Sequence, residues 1–196
     1  FPMALQNAII AMGSMVVQFV SNGYGMLFLA GFTATNKLYG LLEIAATSYG
    51  FAVTSYVGQN LGARLVNRIK RGQRAAAVVA FLTSVVIAAA MLLFGRLVLG
   101  LFISGEPAEV EASLDIAYHY LSIMSVCLPI LYMLHIYRSA LMGLGDTVVP
   151  MLSGFAEMVV RIGVALLLPL VMGQECIYYA EVGAWTAAAT VSYTHL

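Results

Sequence analysis

Two residues of opposite charge, Glu157 and Arg161, lie four positions apart in the apolar stretch "MLSGFAEMVVRIGVALLLPL", residues 151–170. On a helix, residues at this spacing share a face, and an acid that precedes the base is the favourable order for an ion pair. Either charge alone would be costly at the middle of a membrane helix, about 2.5–3.5 kcal/mol. We therefore predict a buried ion pair, which either pins this helix to its neighbours or couples or gates transport.

Polar and small side chains recur at spacings of three and four in two earlier apolar stretches, which returns them to one side of a helix. The first set is Asn7, Ser14, Gln18, Ser21 and Asn22, and the second is Gly40, Glu43, Thr47, Gly50, Thr54 and Gly58. Two interpretations stay open, close helix packing and a water-filled cavity. From these sets we select the candidates for a substrate or ion pathway: Gln18, Asn22, Glu43 and Thr47.

A further stretch, residues 116–141, places Tyr132 on one side together with Tyr118, Ser122 and Ser125. Tyr132 is another candidate for the pathway. Pro129 lies near the centre of this stretch, and a proline there lacks the N–H that a helix requires. We therefore predict a helix kink at Pro129.

The remaining titratable residues suggest no metal site and no catalytic site. His119 and His135 are too far apart along a helix to share a ligand, so we expect each to be a hydrogen-bonded interface residue. Cys127 and Cys176 indicate neither a disulfide nor a metal site. Paired-Asp, HExxH and GxSxG motifs of membrane enzymes are absent from the sequence, so we predict no enzyme. We place Glu43 about six residues from the outer end of its helix, where its side chain could extend towards water.

Composition indicates the elements that position these residues. Of the residues, 62% are hydrophobic and 9% are charged, and the mean hydropathy is +0.93. These values are typical of an integral membrane protein. A bilayer core needs about 20 apolar residues per helix, which predicts an all-α membrane protein with six spans: near 4–29, 38–61, 75–94, 116–141, 149–171 and from about 176 onward, the last of them truncated.

Charge in the loops predicts the orientation of these spans. Five of the nine basic residues lie between the second and third spans: Arg64, Arg68, Lys70, Arg71 and Arg74. The next loop carries Glu106, Glu109, Glu111 and Asp115 without a base. The basic loop is therefore predicted to face the cytoplasm and the acidic loop the opposite side. We interpret the basic cluster as a solvated topology signal rather than as a site for lipid headgroups or nucleic acid.

Both termini suggest that the sequence is part of a larger protein. Residue 1 is Phe, and the last six residues, "VSYTHL", interrupt an Ala-rich helix with Tyr and His. We expect residues 191–196 to be a sequencing or assembly artefact.

Several motifs occur in a characteristic order: "PMALQ" (2–6), "VGQNLGA" (57–63), "SALMGLGDTVVP" (139–150) and then E-x-x-x-R (157–161). In this combination the chain resembles the C-terminal half of a multidrug and toxic compound extrusion (MATE) transporter, over residues 1–190. The loop motif between the second and third spans comprises Gly58, Gln59, Asn60, Gly62 and Ala63.

The resemblance implies a twelve-helix antiporter of two six-helix lobes in the plasma (inner) membrane, of which this chain supplies helices seven to twelve. Such a protein exports cationic or amphipathic small molecules as H⁺ or Na⁺ enters. Its partners would be membrane lipid and the missing N-terminal lobe, with no nucleic acid and no cofactor besides the coupling ion. Sodium-coupled members carry an acid on the seventh helix, where this chain has Gln18 and Asn22, which weakens a sodium site here.

Two alternatives remain from the residues. A lipid or polysaccharide flippase of the same superfamily would be expected to line its cavity with several basic residues for phosphate groups, and only Arg138 and Arg161 are candidates. A purely structural membrane protein would leave Glu157 and Arg161 with a packing role alone.

Overall fold

The computed structural model of the chain describes residues 2–173, 175 and 177–196. Its helices are α1 (Pro2–Ser21), a 3-10 turn (Asn22–Tyr24), α2 (Met26–Gly62), α3 (Val66–Leu99), α4 (Pro107–Gly143), α5 (Val148–Leu167), α6 (Pro169–Met172) and α7 (Ile177–Thr194). Strands are absent from the part of the chain described here, which confirms the predicted all-α fold.

The first two helix boundaries differ from the prediction. The first helix ends at Ser21 rather than at residue 29, and the chain turns at Gly25, whose φ of 93° favours glycine. Residues 30–37, predicted as a loop, belong to α2, which at 37 residues is about 55 Å long. Hydropathy could not locate the turn, because the "SNGYG" sequence is short and lies between two apolar runs.

Within the described residues, four segments are long and apolar enough to cross a membrane: Pro2–Tyr24, Val66–Leu99, Pro107–Gly143 and Val148–Val171. They agree with four of the predicted spans. Neither α2 nor α7 is among them, although both were predicted to span. Both helices carry acidic residues that line an internal cavity, Glu43 on α2 and Glu181 on α7, and this polarity lowers their average hydropathy.

Helices α2 and α4 run parallel and in close contact. The Thr35 hydroxyl donates to the Ala117 carbonyl at 2.9 Å, and the Thr54 hydroxyl donates to the Ser139 carbonyl at 3.0 Å. Gly31 allows the approach, since a Cβ there would lie 2.7 Å from the Ser113 carbonyl oxygen. Small residues and hydroxyls thus join these two helices, as is usual in membrane bundles.

Helices α1, α5 and α7 form a second group in which α5 packs against α1 and α7. Helix α3 packs against both α4 and α2. The two groups meet where α4 contacts α7. Stacked rings fill part of this junction: Phe32 and Tyr120 have centroids 5.4 Å apart, and Tyr120 and Tyr178 5.0 Å. The space that remains between α1, α5 and α7 on one side and α2 and α4 on the other is the cavity described next.

Candidate functional site

The cavity between the two helix groups has a volume of about 680 Å³. Its walls are largely apolar and aromatic, with contributions from Ile10, Val17, Phe32, Phe51, Leu131, Leu134, Met142 and Trp185. Polar groups converge on it from every surrounding helix: Gln6, Ser14 and Gln18 of α1, Asn36, Tyr39, Glu43 and Thr47 of α2, His135 and Arg138 of α4, Glu157 and Arg161 of α5, and Glu181 of α7.

Four of these residues form a buried chain of alternating charge. Arg138 donates to Glu157 at 2.7 Å, Glu157 accepts from Arg161 at 2.9 Å, and Arg161 also donates to Glu181 at 2.8 Å. The exposed fractions of the four side chains lie between 4% and 12%. The predicted pair of Glu157 and Arg161 is therefore confirmed, as one link in a longer network. We call Arg138, Glu157, Arg161 and Glu181 the ionic chain.

The ionic chain ties α1 to the rest of the bundle. Arg161 donates to the Ser14 hydroxyl at 2.8 Å, and the neighbouring Gly13 packs in ordinary contact with the Arg161 side chain, since a Cβ there would lie 3.4 Å from Arg161 Cδ. At the other end, Ser153 accepts from Arg138 at 3.0 Å and donates to the Ala188 carbonyl at 3.0 Å. Side chains from α4, α5 and α7, together with α1, thus share one network.

Two donors in this network have no hydrogen-bond partner among the described residues, the Nε atoms of Arg138 and Arg161. Each guanidinium is otherwise held through its terminal nitrogens. Because the two acids match the two bases, the ionic chain carries no net charge, which is how four charges are tolerated in so buried a place.

A further acid, Glu43, lines the same cavity outside the ionic chain, and its Oε1 is 3.6 Å from His135 Nε2. The predicted position of Glu43 near the outer end of its helix is wrong, because α2 begins at Met26 and places this residue near mid-helix. His135 lies at a helix interface, as expected. His119 is exposed and its ring packs against the edge of Tyr178, with centroids 5.5 Å apart.

The other predicted pathway residues divide into two groups. Gln18 and Thr47 line the cavity with Glu43, Glu157 and Arg161. Asn22 lies in the 3-10 turn and accepts a hydrogen bond from Gln18 at 3.0 Å without lining the cavity. Tyr132 is fully buried behind the wall, where its hydroxyl donates to the Leu42 carbonyl at 3.1 Å.

Helix α4 continues through Pro129, which leaves the Ser125 carbonyl without its usual helical donor. The Ser125 hydroxyl also has no partner among the described residues. The kink itself stays a prediction.

The loop motif ends α2 away from the cavity. Asn60 is buried and its side chain donates to the Tyr56 carbonyl at 2.8 Å, and the Leu65 N–H donates back to the Asn60 carbonyl at 2.9 Å. Gly58 faces the Gly143 carbonyl, Ala63 caps the helix, and Gln59 and Gly62 are exposed. The motif therefore closes the turn between α2 and α3.

The charged residues predicted in loops segregate to the two ends of α3, as expected, although most of them belong to the helices α3 and α4 rather than to loops. The basic residues Arg64, Arg68, Lys70, Arg71 and Arg74 are all exposed around the start of α3. The acids lie at its other end, where Arg96 pairs with Glu111 and, at 2.8 Å, with Asp115. The assignment of these ends to the two sides of the membrane stays a prediction.

Sequence reasoning missed the roles of Arg138 and Glu181. The sequence singles out Arg138 only as a base that could bind a phosphate group, and Glu181 lies in the truncated last span, where no residue was selected. A signal for both exists, because each is an ionisable residue in a mainly apolar segment and such residues are usually paired.

The sequence and the fold of this chain match known proteins. The MatE family model matches residues 2–167. The chain belongs to the MatE family. Among curated relatives, it is 38% identical over 61 residues to the "Probable multidrug resistance protein YpnP" of Bacillus subtilis (strain 168), an alignment that covers 31% of this chain and 14% of that protein.

Solved structures of MatE-like transporters share the fold. A MATE protein in complex with MaL6 superposes with a TM-score of 0.88 at 19% identity, over 99% of this chain and 44% of that one. A multidrug resistance MATE family transporter in an outward-facing conformation superposes with a TM-score of 0.86 at 18% identity, over 100% of this chain and 43% of that one. A MOP superfamily transporter from Pyrococcus furiosus Vc1 (DSM3638) superposes with a TM-score of 0.87 at 16% identity, over 100% of this chain and 43% of that one. The chain thus spans less than half the length of the structures it matches, as expected for one lobe.

Proposed function

We propose that this MatE chain is the C-terminal lobe, helices seven to twelve, of a secondary antiporter that exports organic cations or other amphipathic compounds in exchange for H⁺ or Na⁺. The observation that carries the proposal is the charge of the cavity. Its charged lining residues are three acids, Glu43, Glu157 and Glu181, and two bases, Arg138 and Arg161. These five side chains together carry a net charge of −1, which favours a cation.

The shape and the walls of the cavity suit amphipathic molecules. Its volume of about 680 Å³ is within the range of roughly 300–1,000 Å³ that is typical of small-molecule sites. Aromatic side chains such as Trp185 and Phe32 offer ring faces to an organic cation. Gln18 and Thr47 add polar groups to these walls without restricting a ligand to one binding orientation.

Flippase activity is the second candidate, and the ionic chain argues against it. Both arginines already hold carboxylates, so a phosphate group would have to displace Glu157 or Glu181 to bind them. For the Pyrococcus furiosus protein, reversed polarity of the binding pocket is reported to suggest a different function. The charge of the cavity is therefore the property to test.

The proposed position for a coupling proton is the pair of Glu43 and His135. The charges of the ionic chain cancel one another. The side chain of Glu43, in contrast, is 36% exposed and faces His135. Carboxylate and imidazole side chains can each accept a proton. A proton at this pair would remove the negative charge that a cationic substrate requires, so the two would compete.

The test uses the full-length protein, reconstituted in liposomes and assayed for efflux of ethidium under an imposed H⁺ or Na⁺ gradient. Glu43→Gln should lower H⁺-driven efflux about tenfold or more, since the competing charge is lost. Glu109→Gln, which makes the same change at an exposed acid outside the cavity, is the matched control and should retain most of the activity. Transport of a phosphate-bearing lipid without ethidium efflux would instead support the flippase. Unchanged efflux in Glu43→Gln would remove this pair from the mechanism.

A further inference from the structure

Two buried polar side chains on the cavity wall have no partner in the protein. Gln6 of α1 and Ser139 of α4 both line the cavity, and they are 5% and 4% exposed. Among the described residues, neither the Gln6 amide nor the Ser139 hydroxyl makes a hydrogen bond. Buried polar groups are usually hydrogen-bonded, so exceptions call for an explanation. Since both side chains border the cavity, a partner for them can come from inside it.

Two other polar residues of the same wall are satisfied within the protein. The Gln18 amide donates to Asn22 at 3.0 Å, and the Thr47 hydroxyl donates to the Ile44 carbonyl at 2.9 Å. These contacts lie within one helix turn and need no ligand. The lack of a partner is therefore not a general property of the polar groups in this cavity.

Packing on α5 brings Gln6 and Ser139 to the same region of the cavity. The stem of Gln6 lies against Gly154, where a Cβ would come within 2.8 Å of Gln6 Cγ. The preceding residue, Ser153, accepts a hydrogen bond from Arg138 at 3.0 Å, and Arg138 is the sequence neighbour of Ser139. Helices α1 and α4 thus meet adjacent positions of α5, and each presents one unpartnered polar group there.

The chemistry of this region suits a neutral acceptor. An amide and a hydroxyl can each donate a hydrogen bond, and neither carries a charge. The nearby cation, Arg138, already holds Glu157 at 2.7 Å, so it does not call for an anion. A carbonyl, ester or hydroxyl oxygen of a ligand would satisfy Gln6 and Ser139 together.

The negative part of the cavity lies close to these two groups. Ser139 follows His135 by one helical turn, about 5.4 Å along the axis of α4. His135 faces Glu43 at 3.6 Å. A small molecule that places its cation beside Glu43 therefore has the unpartnered polar groups within its own length.

We propose that Gln6 and Ser139 form a hydrogen-bonding subsite that selects, among organic cations, those that also carry a neutral acceptor such as a carbonyl oxygen. The Gln6 amide N–H and the Ser139 hydroxyl donate to this acceptor, while the cation lies towards Glu43. A few placed polar groups in an apolar pocket are what orients a small molecule. The inference rests on the export of organic cations proposed above and narrows the class of substrate. It also gives a role to Gln6, the last residue of the "PMALQ" motif.

The experiment compares two dyes that share one xanthylium cation. Tetramethylrhodamine methyl ester carries an ester carbonyl, and tetramethylrosamine lacks the ester. The purified full-length protein is titrated with each dye, and Kd is measured by fluorescence polarisation. We expect the unmodified protein to bind the ester dye roughly three- to tenfold more tightly, which is the range expected for one or two hydrogen bonds.

Two variants test the residues themselves. Gln6→Leu and Ser139→Ala should each weaken binding of the ester dye roughly threefold and leave binding of tetramethylrosamine unchanged. Gln59→Leu and Ser55→Ala make the same changes at exposed positions of α2 outside the cavity, and both should keep the preference for the ester dye.

Binding of the dye without the ester separates a lost subsite from a lost fold. If Gln6→Leu and Ser139→Ala weaken both dyes equally, the two residues have a structural role and the inference is overturned. Equal affinity of the unmodified protein for the two dyes would overturn it as well, in favour of water as the partner of both side chains, and would leave the export of organic cations intact. If the unmodified protein binds neither dye, the proposed function fails together with this inference.

Discussion

Arg138 of α4 donates to Glu157 of α5 at 2.7 Å, so the acid that the sequence pairs with Arg161 is shared with an arginine from a different helix. Glu157 is consequently the acid with two cationic partners in the ionic chain, and Glu181 has one. The two acids are therefore not equivalent, although both are buried.

Glu157→Gln should destabilise the full-length protein more than Glu181→Gln does. The first change leaves Arg138 without an acid and Arg161 with one, and breaking a buried pair in this way costs about 3–5 kcal/mol. The measurement is the amount of monodisperse protein after heating, by fluorescence-detected size exclusion. Glu109→Gln, at an exposed site in the first turn of α4, is the control. Equal loss in both variants would contradict the shared role of Glu157.

The double variant Glu157→Gln with Arg161→Gln tests the length of the network. An isolated pair would recover much of its stability when both charges are removed. Here the double change leaves Arg138 and Glu181 buried without their partners, so we expect little recovery relative to Glu157→Gln. Full recovery of membrane abundance would show that the pairs Arg138–Glu157 and Arg161–Glu181 contribute nothing to stability.

Two glycines of α2 should respond differently to alanine. A Cβ at Gly31 would lie 2.7 Å from the Ser113 carbonyl oxygen, whereas nothing lies within 4 Å of one at Gly40. We expect Gly31→Ala to destabilise the protein by roughly 1–3 kcal/mol through overpacking. Gly40→Ala should be neutral or stabilising by up to about 1 kcal/mol, since alanine favours the helix. Thermal unfolding of the two purified variants provides the comparison, and equal melting temperatures would argue against the close contact of α2 and α4.

Gln18→Leu should change the drug-resistance profile of cells that express the full-length protein, with normal membrane abundance, because Gln18 lines the cavity. Asn22→Leu should have a smaller effect, since Asn22 contacts Gln18 from the turn outside the cavity. Growth inhibition across a panel of cationic compounds is the measurement. Identical profiles for Gln18→Leu and the unmodified protein would assign Gln18 to packing.

Cysteine labelling tests the orientation predicted from charge. Asn67 and Ala108 are exposed near the starts of α3 and α4, at opposite ends of α3. In a background without native cysteines, Asn67→Cys should react with impermeant reagents only from the cytoplasm, and Ala108→Cys only from outside. The reverse labelling would overturn the orientation.

The parts of this structure that sequence could predict are those set by local spacing. Glu157 and Arg161 are neighbours on any helix that contains both, so their pair follows from four positions of separation. Their partners Arg138 and Glu181 come from other helices, and that contact depends on how α4 and α7 pack against α5. Spacing within one helix contains no such information.

The position of Glu43 shows a second limit. Its depth depends on where α2 begins, and that boundary is set by Gly25 and by burial of residues such as Thr35 against α4. Hydropathy averages over about 20 residues and cannot detect a turn of four. The error at one boundary therefore displaced the predicted depth of a cavity residue by many ångströms.

The polarity of α2 has a consequence for how the protein reaches its membrane position during synthesis. A segment with Glu43 and a series of hydroxyl residues partitions poorly into lipid by itself. Its hydroxyls at Thr35 and Thr54 find acceptors on α4, which is translated dozens of residues later. Stable integration of α2 therefore depends on α4, which has not yet been synthesised when α2 reaches the insertion machinery. Truncation of the chain before α4 should leave α2 poorly integrated in the membrane.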